Sequence, residues 1–283
     1  MRIAILCDIH GNLPAFEAAL DHAANLAPDL LIIAGDMVCG CPDSDLCWQR
    51  ALDLNCLLLR GNQERYLYEL ACDQAPPLWQ TQQFAPMQWT LDQLGVETCR
   101  SLLDLPMLQR PVNDLLVVHA SLRNDRDTIR PYTSESELEQ MFPSPAADLI
   151  IRGHNHYGQM RLWGQRQLVT CSSVGLPMDG HMTAQYLLLD RVQNGWRIEH
   201  QSVPYDVDAA IARFYETNYL DQCGPMAALF LRELVTATQQ FVPFLHWYNR
   251  WKKVEELSLE QAVKCFLDGS YWRYNTAMNT HSS

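Results

Sequence analysis

Five short apolar runs limit what this chain can fold into: Ile3 to Leu6, Leu30 to Ala34, Cys56 to Leu59, Leu115 to Val118 and Leu149 to Ile151. None alternates apolar with polar residues, which is the pattern of strands buried on both faces. After the first run the apolar spacing becomes helical: Asn12 fits an N-cap, Pro14 a first turn, and Leu13, Phe16 and Leu20 one face. Asp43 to Asp53 reads as a second helix and residues 62–105 as helices interrupted at Pro76-Pro77 and Gly95. Ser134-x-x-Glu137 fits a capping box opening another. Strands and helices in turn predict an α/β fold.

Each run ends in a polar side chain. Asp8 and His10 follow the first, Asp36 the second, Asn62 the third, His119 the fourth, and His154 and His156 the fifth. In α/β sheets, ligands bind at the C-terminal strand ends. Carboxylate and amide oxygens with imidazole nitrogens suit a divalent transition metal. A single capping aspartate or core histidine would be ordinary; five such strand ends point to one shared site. Gly11, Gly35, Gly61 and Gly153 beside them let the backbone turn tightly next to a ligand.

The formal net charge of −12 is spread along the chain without a long acidic run, which argues against DNA or RNA binding through a basic surface. Lysine occurs only at Lys252, Lys253 and Lys264, so arginine carries positive charge elsewhere. No apolar run reaches membrane-spanning length and no basic leader precedes the first strand, so a cytoplasmic location without a membrane is expected. The ten cysteines show no C-x-x-C spacing and read as free thiols of a reducing compartment. A zinc knuckle at Cys39, Cys41 and Cys47 is the minor alternative.

Beyond residue 158, Gln159 to Trp163, Gln167 to Cys171, Gln185 to Leu189 and Trp196 to Val203 read as strands of an antiparallel meander, one turn marked by Asn194-Gly195. After Pro204 the pattern is helical to the end, with a capping box at Ser258-x-x-Gln261 and aromatics at Trp247, Tyr248, Trp251, Tyr271 and Trp272. Two parts are expected: residues 1–205, carrying the strand-end set, and a helical extension over 206–283.

Taken in order, Asp8-x-His10, Gly35-Asp36, Gly61-Asn62, His119 and Gly153-His154-x-His156 resemble the calcineurin-like metallophosphoesterase superfamily. CDIHGNLPAFEAAL, GDMVCGCPDS, the arginine-bearing loop after His119 and SSVGLPMDG are similar to its small prokaryotic phosphodiesterase-type branch. The resemblance covers about residues 1–206 and implies a four-layer α/β/β/α sandwich of two mixed sheets, with the metals at one end. It implies that Asp8, His10 and His156 hold one metal ion, that Asn62, His119 and His154 hold the other, and that Asp36 bridges them. Such a pair activates a bridging water for in-line attack on phosphorus. Two divalent transition-metal ions are the expected cofactors, manganese or iron favoured, zinc or nickel compatible with the donors.

Asp36, Asn62, Gln63 and His119 are the expected catalytic residues. Gln63 departs from the superfamily, where histidine commonly follows the asparagine; glutamine donates a hydrogen bond but is no acid. His181 is a candidate substitute acid, against its reading as a solvated loop residue. Arg123, Arg126 and Arg130 are candidate phosphate-clamping residues, against a solvated loop paired locally with Asp125 and Asp127. Cys7 and Cys171 read as packing residues. The expected activity is metal-dependent hydrolysis of a phosphodiester or a nucleotide, with dinucleoside polyphosphates and phosphomonoesters as alternatives within the superfamily. From another class, a non-catalytic scaffold is the alternative, because a retromer subunit has this fold with a degraded metal site; acidity disfavours a nuclease. The expected partner is a small phosphorylated substrate, with a homo-oligomer through the helical tail open.

Overall fold

The protein, described by a computed structural model over residues 1–143, 147–251 and 257–270, contains two five-stranded mixed sheets packed face to face. The strands are β1 (Arg2–Leu6), β2 (Leu30–Ala34), β3 (Leu57–Leu59), β4 (Leu108–Val112), β5 (Leu115–Val118), β6 (Leu149–Arg152), β7 (Gln159–Trp163), β8 (Arg166–Thr170), β9 (Ala184–Val192) and β10 (Gly195–Val203). One sheet runs β10-β9-β1-β2-β3 and the other β4-β5-β6-β8-β7. The central strands β1, β2 and β3 pair in parallel, as do β5, β6 and β8; β9, β10, β4 and β7 are antiparallel to their neighbours.

The helices are α1 (Leu13–Asn25), α2 (Ser44–Leu52), α3 (Asn62–Ala71), α4 (Ala85–Leu94), α5 (Val96–Ser101), α6 (Glu135–Met141), α7 (Val207–Glu216), α8 (Tyr219–Cys223), α9 (Pro225–Thr236), α10 (Phe241–Trp251) and α11 (Leu259–Leu267). The absence of polar alternation in β1 now has its cause. Ile3, Ile5 and Cys7 pack between the sheets against Leu115, Val117, Leu149 and Ile151. Ala4 and Leu6 face the opposite way, onto Ala15, Phe16 and Ala19 of α1. Each of these large side chains contributes about 1.5–3 kcal/mol by leaving water. On the outer face of the second sheet, Leu116, Val118 and Ile150 meet Leu138 and Met141 of α6. The four layers expected from the resemblance are therefore present.

Two readings of the sequence need correction, and one strand was missed. The strands beyond residue 158 are not one meander: β7 and β8 form a hairpin in the second sheet, with β8 parallel to β6, whereas β9 and β10 join the first sheet beside β1. The connection from Thr170 to Ala184 crosses from one sheet to the other, and β8 lies between β6 and β7. Strand β4 was not legible, because it is a half-exposed edge interrupted by Pro111 with an irregular register between Gln109 and Val112. The Ser134 box is half made: the Ser134 hydroxyl accepts from the Glu137 N–H at 3.2 Å, but the Glu137 carboxylate accepts from Arg123 instead. By contrast the Ser258–Gln261 box is complete, and Asn12 caps α1 by accepting from the Ala15 N–H. Tyr271 and Trp272 lie outside the described residues, as does the side chain of Trp251.

Candidate metal centre

The C-terminal ends of β1, β2, β5 and β6 and the start of α3 meet at one end of the sandwich. They bring all seven strand-end residues together. Two groups of donor atoms form there, Asp8 with His10 and His156, and Asp36 with His119 and His154, the atoms within each group lying within 4.8 Å of one another. Asp36 Oδ2 stands between them, 3.8 Å from His10 Nε2 and 3.4 Å from His119 Nε2. Asn62 joins the second group, its amide oxygen 3.2 Å from His119 Nε2. Asp8, Asp36 and His119 are all but inaccessible to water.

Local backbone aims these side chains. Asp8, His10, Asp36, His154 and His156 have φ of 55°, 52°, 52°, 70° and 62°, so five of the seven candidate ligands adopt the left-handed conformation. For a residue with a Cβ this costs about 1–3 kcal/mol each and persists only where the surroundings enforce it. Gly11 and Gly35 also turn left-handed, as expected. Gly61 and Gly153 do something else: they leave room. A Cβ on Gly61 would lie 2.2 Å from Asp36 Oδ1, and one on Gly153 would lie 2.7 Å from Asp8 Oδ2.

Three imidazoles are oriented from behind. His10 Nδ1 donates to the Cys39 carbonyl (2.7 Å), His119 Nδ1 to the Ala34 carbonyl (2.9 Å) and His156 Nδ1 to the Leu176 carbonyl (2.7 Å). A carbonyl only accepts, so each neutral ring carries its hydrogen on Nδ1 and presents a bare lone pair at Nε2. Yet His10 Nε2 and His156 Nε2 lie 3.0 Å apart, an unfavourable contact between two lone pairs unless a proton or a metal cation lies between them. Two nitrogens bound at about right angles to one ion, at about 2.1 Å each, would have this spacing.

Asn62 tells the same story. Its amide end also points at His154 Nδ1, 2.8 Å away. Without a metal ion the amide nitrogen belongs there, as a donor to both rings; a cation shared with the rings calls for the oxygen. The donor set fits divalent cations.

At His10 and His154 titration agrees with the geometry. Burial lowers His10, with His156 adding to the effect; burial and the neighbouring His119 lower His154 to about 3. Both rings are thereby kept neutral, the form that binds a metal ion. At His119 burial opposes protonation, but the charge of Asp36 and its hydrogen bond lift the ring to about 10. Burial alone would raise Asp36; His119 and His10 instead hold it well below the usual carboxylate range.

Several contributors escaped the sequence reading. The Glu64 carboxylate is fully buried and accepts from the N–H groups of Asp36 (2.9 Å), Met37 (2.8 Å) and Gly61 (2.7 Å), tying the second strand end to the third. Its position three residues after Gly61 at the start of α3 is the capping-box position, which was the available signal. Arg152, also fully buried, donates to the carbonyls of Ala120 and Asp127 (both 2.7 Å) and to Asn155 Oδ1 (3.1 Å), holding the loop after His119 to the His154 turn. Ser173 donates to the Asp8 carbonyl at 2.6 Å.

The three loop arginines are not gathered into a clamp. Arg123 donates to both oxygens of Asp127 and to Glu137, while Asp125 is taken by Arg65 of α3. Arg130 donates to Tyr132 on the exposed loop, and Arg126 is exposed with no ion pair among the described residues. Gln63 is the second residue of α3, its N–H donating to Asp36 Oδ1 at 2.8 Å. His181 is exposed beside Asp179. Cys39 and Cys47 pack under the helices of the first sheet and Cys41 against the C-terminal helices, and neither donor group includes a cysteine. Cys7 and Cys171 are buried between the sheets.

The profile of the calcineurin-like phosphoesterase family matches residues 1–158, the stretch that holds all seven candidate ligands. The chain belongs to that family. Calcineurin-like phosphoesterases hydrolyse phosphoester bonds with divalent metals, and this chain is such an enzyme, with two groups of side chains that could hold metal ions. An uncharacterized protein of Methanocaldococcus jannaschii is 24% identical over 238 residues, covering 78% of this chain and 95% of that one. A metallophosphoesterase from Sphaerobacter thermophilus superposes with a TM-score of 0.63 at 24% identity, over 84% of this chain and 99% of its own. A hypothetical protein from Pyrococcus horikoshii does so with a TM-score of 0.68 at 19% identity, over 84% and 99%. No helix among the described residues is long and apolar enough to cross a membrane.

Proposed function

We propose that this phosphoesterase hydrolyses a phosphodiester or a nucleotide with two divalent ions, one held by Asp8, His10 and His156 and the other by Asn62, His119 and His154, with Asp36 between them. The observation that carries the reading is the 3.0 Å approach of His10 Nε2 and His156 Nε2 when both Nδ1 hydrogens are already spent on carbonyls. Divalent ions held there supply Lewis acidity, neutralising phosphate oxygens and making water nucleophilic near neutral pH. Manganese or iron suits the oxygen and nitrogen donors best, with zinc or nickel compatible.

The chain's own residues then limit the substrate. Gln63 stands beside Asn62 with no proton to give, so the leaving group departs without help from this position and activated esters are favoured. Of the three arginines, Arg126 keeps its guanidinium unspent and is the one assigned to a substrate phosphate; Arg123 is committed to its own loop. The ten free thiols support a reducing, cytoplasmic setting.

The test is a metal-stripped sample restored with Mn2+ and offered bis(p-nitrophenyl) phosphate, p-nitrophenyl phosphate and a dinucleoside polyphosphate. Preference for the diester supports the reading. Preference for either of the other two moves it to the corresponding activity, and metal uptake with no turnover of any of the three would support the scaffold.

A further inference from the structure

The two donor groups are held by different parts of the chain. Asp36 and His119 are gripped by Gln63, Glu64 and the Ala34 carbonyl, and the His154 N–H donates to Asp8 Oδ2 at 2.9 Å. His10 and His156 depend instead on the carbonyls of Cys39 and Leu176, which sit in the loops 37–43 and 171–183. Those are the two loops on which the C-terminal helices land.

The contacts are specific. Tyr219, fully buried at the start of α8, donates its hydroxyl to the Gly40 carbonyl at 2.8 Å, one residue beyond Cys39. Gly40 itself lies so close to His10 that a Cβ there would stand 3.2 Å from His10 Cβ and 3.2 Å from Leu176 Cδ1. Leu176 and Cys41 are buried in one apolar cluster with Ala210, Phe214, Ala227 and Leu234 of the extension. Arg213 of α7 forks onto Asp43, which is 2% exposed, with its nearest nitrogen 2.8 Å away. Further along, the Gly180 N–H donates to the carbonyl of Ala237 (2.9 Å), in the turn that Glu233 fixes by accepting from the N–H groups of Gln240 and Phe241.

We propose that the C-terminal helices brace one of the two metal positions and not the other: Tyr219 and Arg213 are positioning residues that fix the Cys39 and Leu176 carbonyls, and through them the aim of His10 and His156. The inference rests on the two-ion reading given above. It makes the two sites separable. Partners that orient histidine ligands typically cost 10–100-fold in metal affinity when lost. Tyr219 acts one step further back, so Tyr219→Phe, which removes only the hydroxyl, is expected at the low end, about tenfold.

The experiment is calorimetric titration of the metal-stripped full chain with Mn2+, with bound ions counted by electron paramagnetic resonance. The unaltered chain takes up two equivalents; Tyr219→Phe keeps one at its original affinity and weakens the other about tenfold. In a His119→Ala background, where the remaining site is that of Asp8, His10 and His156, adding Tyr219→Phe weakens the single equivalent by the same factor. Arg213→Gln, at a half-exposed position, repeats the selective loss should the tyrosine variant fold poorly. Equal weakening of both sites, or none in either, overturns the brace and leaves the two-ion reading standing. An unaltered chain that binds fewer than two ions overturns that reading first, and the brace with it.

Discussion

Gly61→Ala should disable the enzyme while leaving it folded. Gly61 has φ −104° and ψ −162°, an extended conformation open to alanine, so the substitution adds no backbone strain. The whole effect is steric. The new Cβ would lie 2.2 Å from Asp36 Oδ1 and 2.7 Å from the Asp36 amide nitrogen. Non-bonded heavy atoms settle at roughly 3.5 Å, so the carboxylate between the two donor groups must retreat by about 1 Å. A misplacement of that size costs on the order of 10²-fold in rate. Overpacking of this kind costs about 1–3 kcal/mol of stability, at roughly 2–4 °C of Tm for each kcal/mol. The assay pairs kcat on an aryl phosphodiester at saturating Mn2+ with a thermal melt. Gly164→Ala is the control: it meets nothing within 4 Å but sits at φ +58°, so it should lower Tm without touching kcat. A Gly61→Ala enzyme within threefold of the original kcat would refute the claim that Asp36 is held in place by the room this glycine leaves.

Gln63→His should raise kcat most for alkyl phosphodiesters and least for p-nitrophenyl esters, because a proton donor helps only poor leaving groups; an equal effect on both series argues against the missing acid. Arg126→Ala should raise KM for the phosphorylated substrate several-fold with kcat little changed. Arg123→Ala should instead lower Tm, since it strips Asp127 and Glu137 of their partner, and the reverse assignment in steady-state kinetics would exchange their roles. Removing metal with a chelator should lower Tm, and restoring Mn2+ to a thousandfold excess over its Kd should return about 4 kcal/mol per site; a melt indifferent to metal would contradict the fit of these donors to cations.

What was legible in the sequence follows from where its signals come from. Strands β1, β2, β5 and β6 were readable because helices cover one face and the opposite sheet the other, leaving no place for a polar residue. The donors were readable because each closes such a run. Strand pairing was not: periodicity says that Gln159 to Trp163 and Gln185 to Leu189 are strands but not that they belong to different sheets. The grips on the histidines were invisible for a simpler reason. They are the carbonyls of Ala34, Cys39 and Leu176, and a carbonyl has no residue-type signature. The pairing of Arg123 was not legible because its second partner, Glu137, lies fourteen residues away on a helix whose start reads as a capping box.

The left-handed turns at Asp8, His10, Asp36, His154 and His156 would together cost on the order of 10 kcal/mol, comparable with the whole net stability of a domain. They hold because the strand ends lock one another through backbone hydrogen bonds, to which the Glu64 carboxylate and the Ser173 hydroxyl add side-chain ties. The Asp8 N–H donates to the Gly35 carbonyl and the His10 N–H to the Asp36 carbonyl, both at 3.0 Å, so the two strand ends that carry Asp8 and Asp36 fix each other's turns. The His10 carbonyl in turn accepts from Cys41 (2.7 Å) and the His156 carbonyl from Met178 (2.8 Å). None of these bonds involves a donor atom of the centre. Deleting an imidazole therefore removes one coordinating group and leaves these backbone ties in place, whereas Asp8 and Asp36 also accept from the N–H groups of His154 and Gln63, and a methyl group on Gly35 or Gly61 would press on the facing strand end. The centre is fixed in the backbone first, and the side chains are placed by it.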